Sequence, residues 1–147
     1  MKVVHAAVSN ISGSVNLYIS PGHSNHSLNP GYTDYQDTIT VPATTVDDHL
    51  RTLGNPEIDF VKLDVEGSEV RVLQGMEHTI SRSPNLMMIV ELNPRALPAG
   101  GYTPEDLLGI IQSYGFKPRE ITARGKLVDP FDNQSDETRN LLCLKSE

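Results

Sequence analysis

Short apolar runs, separated by polar breaks containing Gly or Pro, mark out the chain. Residues 3–8, Val-Val-His-Ala-Ala-Val, read as a short buried strand, and residues 15–19 alternate apolar and polar positions as a half-buried strand does. The turn signals at 10–14 between them predict a hairpin over residues 3–19. Residues 20–38 are polar and poor in aliphatics, a loop of a length that is usually functional or disordered, and residues 39–41 form a third short strand. Thr45-Val-Asp-Asp48 has the spacing of a helix cap, and Gly54 suits the helix stop. Residues 58–64 are the strongest strand pattern. A helix over 68–80 follows, its apolar face carried by Val72, Met76 and Ile80 at four-residue spacing with Leu73 beside them. The unbroken apolar run at 86–90 predicts a strand covered on both faces. Thr103-Pro-Glu-Asp106 opens another helix, which places Leu107, Leu108, Ile110, Ile111 and Tyr114 toward the core and stops at Gly115. Residues 116–122 and 139–145 are the last two strands.

From residue 58 the order is strand, helix, strand, helix, strand, strand. That alternation implies an α/β fold with a mostly parallel sheet and helices packed on it. The closing pair of strands is expected to be antiparallel, because residues 123–138 carry no helical pattern.

Composition narrows the class. The chain has 147 residues, one domain by length, and enough to bury roughly two-thirds of its unfolded surface. Its single cysteine, Cys143, rules out an internal disulfide and reads as a buried inert thiol. No run approaches the roughly 20 apolar residues of a membrane span, and residues 1–5 lack signal-peptide architecture. A cytoplasmic location with no membrane partner is therefore expected. The formal charge of −7 argues against a broadly basic nucleic-acid binder. Residues 34–70 hold nine acids and two bases, so the excess charge surrounds the strongest strand.

The segment Lys62-Leu-Asp-Val-Glu-Gly-Ser-Glu69 carries the most chemistry. In an open α/β sheet, ligands sit beyond the carboxyl ends of the strands. Asp64 ends the strand, Glu66 lies in the turn, and Gly67 permits a tight turn or close backbone approach. Ser68 or Glu69 is placed to satisfy free amides at the helix start. Lys62 shares a strand face with Phe60 and Asp64, and needs a partner such as Asp64 or Glu91. That pairing could simply fix strand register. Glu91 and Asn93 end the next strand, so Asp64, Glu66, Glu91 and Asn93 are expected on one rim. Such oxygens could hold magnesium or calcium, or could orient a substrate hydroxyl and take its proton; no spacing rule selects a metal. His23 and His26 lack a third ligand nearby and read as solvated loop residues. His5 reads as a strand residue, and His49 and His78 as helix-surface residues. Ser68 has no histidine partner in sequence. Neither G-x-G-x-x-G nor G-K-[ST] occurs, so no complete nucleotide signature is present.

The blocks His5-Ala-Ala-Val-Ser9, Gly13-Ser-Val-Asn-Leu-Tyr18, Val41-Pro-Ala-Thr-Thr-Val-Asp47, Asp59-Phe-Val-Lys-Leu-Asp-Val-Glu-Gly-Ser-Glu-Val70, Leu73-Gln-Gly75 and Val90-Glu91 occur in the order seen in FkbM-type methyltransferases, and the chain resembles that family. The resemblance implies a Rossmann-like, three-layer class I fold with an antiparallel last strand. It implies S-adenosylmethionine as methyl donor and a small-molecule or glycan hydroxyl as acceptor. It puts Ala7 and Val8 beside the adenine, Lys62 and Asp64 near the cofactor, and Asp64, Glu66 and Glu91 at the catalytic centre. Glu66, Glu91 and Asn93 border the acceptor, and the loop at 22–38 lines it.

The family pattern also includes a first strand, a Gly-rich turn, a helix and a second strand, and none of these precedes the residue-3 strand here. Residues 1–147 are therefore expected to form a partial methyltransferase domain, its C-terminal portion. Strand 58–64 should have one uncovered edge unless the 3–19 hairpin moves in to cover it. S-adenosylmethionine binding by this chain alone is expected to be weak. The alternative is a non-catalytic α/β remnant that binds a partner or self-associates through that edge.

Overall fold

The computed structural model describes residues 2–22, 25–32, 34–130 and 135–146. His23, half of the histidine pair considered above, lies outside them. His26 is tied into its own loop, where Nδ1 accepts the Ser20 amide at 3.2 Å.

Two sheets form. The smaller contains β1 (Ala7–Val8), β2 (Gly13–Ile19) and β3 (Asp37–Thr44), in the order β1-β3-β2. β1 runs parallel to β3, while β2 pairs antiparallel with β3 over its whole length, from Gly13 opposite Ala43 to Ile19 opposite Asp37. The expected hairpin at 3–19 is thus replaced by one between 13–19 and 37–44, and the buried strand at 3–8 shrinks to two residues. The physical reason is length. Thr38 to Thr44 supplies a long run of β-branched and apolar positions that outcompetes the short 3–8 segment, whose Val3 and Val4 are left exposed.

The larger sheet has the order β4-β5-β8-β6-β7, built from β4 (Phe60–Leu63), β5 (Met87–Leu92), β6 (Phe116–Ile121), β7 (Leu127–Val128) and β8 (Arg139–Lys145). β4 and β5 are parallel, and β8 runs antiparallel to both β5 and β6. The closing pair is therefore antiparallel, as the sequence predicts, but by its pairings the sheet is mixed and not mostly parallel. Among the described residues β4 stands at the edge, and no strand of the small sheet pairs with it.

Register explains which face is covered. Val61, Met88, Cys143 and Pro118 lie in one row and Leu63, Val90, Leu141 and Glu120 in the next, all on one face. Against this face pack Val70, Val72 and Leu73 of α2 (Glu69–Gln74), Ile80 of α3 (Glu77–Arg82), and Leu107, Leu108 and Ile111 of α4 (Pro104–Ser113). The opposite face holds Phe60, Met87 and Leu144, which are 50%, 37% and 45% exposed. Among the described residues the sheet is thus covered on one side, giving two layers in place of three. The apolar run at 86–90 has one buried face and one open face.

The predicted helix 68–80 is two helices. A Cβ at Gly75 would lie 2.4 Å from the Ser9 carbonyl oxygen, so the end of β1 crosses the helix at this point. α2 closes there, and α3 restarts under the carboxylate of Asp47 on α1 (Val46–Thr52). Asp47 Oδ1 accepts from the Thr79 amide at 2.8 Å and hydroxyl at 2.6 Å, and Oδ2 from the His78 amide at 3.0 Å. Val72, Leu73, Met76 and Ile80 are nonetheless all buried. Both predicted caps form: Thr45 accepts the Asp48 amide at 2.9 Å, and Thr103 and Asp106 make a reciprocal capping box. Cys143 is fully buried, and burial pushes its thiol up to about 12. No helix among the described residues is long and apolar enough to cross a membrane.

Asp47 caps a helix far from it in sequence, so Asp47→Ala should cost roughly 1–2 kcal/mol of stability. A shift of the urea midpoint at unchanged m-value would confirm it.

Candidate active site

β4 ends at Leu63 and delivers Asp64 to the carboxyl edge of the sheet, beside the same end of β5. The chain then makes an unusual turn. Glu66 has φ 49° and Gly67 φ 90°, two successive left-handed residues, the first of them not a glycine. The buried carboxylate of Glu69 holds the turn: Oε1 accepts the Val65 amide at 3.1 Å and the Gly67 amide at 3.3 Å. Burial pushes the Glu69 carboxyl above its ordinary range. Of the two candidates for the helix start, Glu69 serves these amides, whereas Ser68 makes no side-chain cap.

Gly67 is required by contact as well as by φ, because a Cβ there would sit 2.3 Å from the Ala96 carbonyl oxygen. A Cβ at Gly100 would in turn lie 2.4 Å from the Gly67 carbonyl oxygen. The turn after β4 is therefore pressed backbone to backbone on the segment after β5, which fixes the spacing of the two strand ends.

The outcome is convergence. Carboxylate oxygens of Asp64, Glu66 and Glu91 lie within 4.8 Å of one another, close enough for one small ligand group to touch all three. Lys62 Nζ meets Asp64 Oδ2 at 2.6 Å with both side chains about half exposed, so this pair orients Asp64 more than it stabilises the fold. Glu66 Oε2 is buried with no hydrogen-bond partner among the described residues. Burial pushes the Glu91 carboxyl up to about 7; the charges of Asp64, Glu66 and Glu69 add to the push and Lys62 opposes it. A carboxyl with that value exchanges its proton near neutral pH, as a general base must.

Asn93 is at the rim but faces its own backbone. Its Oδ1 accepts the Arg95 and Ala96 amides at 3.1 and 3.3 Å, and its Nδ2 donates to the Tyr32 hydroxyl at 3.0 Å. Ala7 and Val8 line a cleft of ≈ 300 Å³ together with Ala6, Leu17, His26, Leu28, Asp64 and Val65. All seven residues singled out from sequence thus lie at or beside the β4–β5 end. A strap from the 22–38 loop, which the family resemblance expects at the acceptor, crosses this end through residues that no motif singled out. Ser27 Oγ donates to the Glu66 carbonyl at 2.8 Å, Asn29 Nδ2 to Ser68 Oγ at 3.0 Å, and Arg71 to Asn29 Oδ1 at 3.1 Å. The signals for the loop were its polar length and the family resemblance; neither named these residues.

An acidic site at the carboxyl end of parallel strands in an α/β sheet is where this class of fold carries its chemistry. The family model of the methyltransferase FkbM domain matches residues 2–118. The chain belongs to that family, and the chemistry its family defines is methyl transfer. No curated protein and no solved structure matches the chain.

Glu91 binds its proton more tightly folded than unfolded, because its value rises from 4.5 to about 7. Its favourable contribution is present below pH 4.5 and is lost as pH rises through 7. Glu91→Gln should leave stability at pH 4 unchanged and raise it at pH 8 by on the order of 1 kcal/mol, after allowance for solvent screening. Chemical denaturation at the two pH values reads both outcomes.

Proposed function

We propose that this domain carries out S-adenosylmethionine-dependent methylation of a hydroxyl oxygen on a small molecule or glycan. The observation behind this reading is the convergence of Asp64, Glu66 and Glu91 at the end of β4 and β5, with Glu91 poised near pH 7. The cleft beside it supports one part of the cofactor: Ala6, Ala7, Val8, Leu17 and Leu28 offer small and apolar walls for a flat heterocycle, with His26 and Asp64 as the polar lining. Lys62 holds Asp64 in place. When bound, S-adenosylmethionine supplies an activated methyl group on a sulfonium sulfur.

This chain's residues would do the rest. Glu66 and Glu91 hold the acceptor hydroxyl, and Glu91 takes its proton as the oxygen becomes a nucleophile. Three carboxylates also make the rim hospitable to a cationic neighbour and hostile to an anionic acceptor. Most of the catalysis in this reading is positioning. Neutral hydroxylic acceptors should therefore be methylated in preference to phosphorylated or carboxylated ones. With S-adenosylmethionine at millimolar concentration, so that a weak cofactor site does not limit, Glu91→Gln should lower kcat on such acceptors by roughly 100-fold or more. Undiminished turnover in the variant would remove Glu91 from the role of base.

A second reading draws on the bare edge of β4 and the exposed Phe60, Met87 and Leu144 beside it. In it the domain is a non-catalytic module that self-associates through that edge. Sedimentation separates the two readings: a concentration-dependent dimer with amides of β4 protected from exchange favours the module, and a monomer removes it.

A further inference from the structure

Tyr32 belongs to none of the motifs that point to the site, yet the fold goes to some length to bring it there. Its strap is fastened at three points: by Ser27 to the Glu66 carbonyl, by Asn29 to Ser68, and by Arg71, which bridges Asn29 Oδ1 at 3.1 Å and the Gly100 carbonyl at 3.2 Å. Asn29 is only 2% exposed, so this fastening is part of the interior. The orientation of Asn93 is not arbitrary either. Its Oδ1 takes two backbone amides, which leaves its amide N–H groups facing Tyr32. The phenol oxygen is therefore the acceptor in that hydrogen bond, and its own proton must be directed elsewhere. Burial is the largest influence holding the phenol proton on, the Asn93 donor opposes it, and the charge of Glu66, a side-chain hydrogen bond with Glu66 and the charge of Glu91 add to it; Glu66 Oε2 is itself buried and lacks a donor among the described residues.

We infer that Tyr32 is an acceptor-positioning residue: fixed by Asn93, its hydroxyl donates across the carboxylate rim to the oxygen of a neutral, hydroxyl-bearing acceptor held by Glu66 and Glu91. The acceptor part of this inference rests on the methyl-transfer reading; the direction of the hydroxyl does not. Without an acceptor, the same proton faces the acids and eases their charge. The strap thus brings a hydroxyl donor to the rim, held in place by Asn93.

Tyr32→Phe keeps the ring and removes only the hydroxyl. With ¹³C-labelled glutamate, the midpoint of the Glu91 carboxyl is followed by NMR in the wild type and in the variant. The expected result is a rise of at least a few tenths of a pH unit in the variant, because a donor to the acid cluster has been lost. An unchanged or lower midpoint overturns the inference, whether or not the protein transfers methyl groups. Asn29→Ala serves as the control for strap packing, since a merely structural Tyr32 would shift the unfolding midpoint as that variant does and leave Glu91 alone. On any hydroxylic acceptor that is turned over, Tyr32→Phe should raise the acceptor KM about tenfold, the worth of one hydrogen bond, with the S-adenosylmethionine KM unchanged. A fall in kcat at constant acceptor KM overturns the positioning role. Failure of the whole acceptor panel would count against the methyl-transfer reading, and the carboxyl titration would still decide the direction of the hydroxyl.

Discussion

The carboxylate of Glu69, fully buried, holds the turn on which the rest of the site depends. By taking the amides of Val65 and Gly67, it stabilises two consecutive left-handed residues that an ordinary strand-to-helix connection would avoid. Backbone strain of this kind persists only where the surroundings over-determine it. Here the surroundings are the backbone of Ala96, which presses on Gly67, and the backbone of Gly67, which presses on Gly100. Two strand ends from different parts of the chain are thereby locked at one spacing, and Glu66 is turned toward Asp64 and Glu91.

Crowding three acids has an electrostatic consequence. Like charges at this separation resist simultaneous ionisation, and partial burial makes the resistance stronger. At Glu91 burial is the largest push upward, the charges of Asp64, Glu66 and Glu69 add to it, and Lys62 opposes it. Lys62 and Asp64 neutralise one another at the exposed side of the rim. The arrangement leaves Glu91, its carboxyl pushed up to about 7, as a group that exchanges a proton near neutrality, while Lys62 holds Asp64 in place.

Much of this was legible in the chain itself. The β4 and β5 strands, both Thr-capped helices and the convergence of Asp64, Glu66 and Glu91 follow from local periodicity, capping residues and the rule that strand ends in an α/β sheet carry the site. The block around Glu66 and Gly67, with the order and spacing of the flanking blocks, also pointed to the methyltransferase family that the domain match establishes. The 22–38 loop was expected at the acceptor by resemblance, but Tyr32 and the fastenings of its strap were not legible, because Ser27, Asn29 and Arg71 act through partners 29 to 42 residues away. The break at Gly75 was hidden for the same reason: the local pattern from Val72 to Ile80 is continuous, and only the crossing of β1 interrupts it.

What the sequence determined alone was therefore the set of elements and the acids at their ends, since hydrophobic period and capping act over a few residues. The tertiary structure decided which strand Ala7 and Val8 pair with, which face of the large sheet stays bare, and which loop reaches the site. Each of those is settled by competition among distant segments for the same hydrogen bonds and the same apolar surface. A residue's own neighbours in sequence do not record the result.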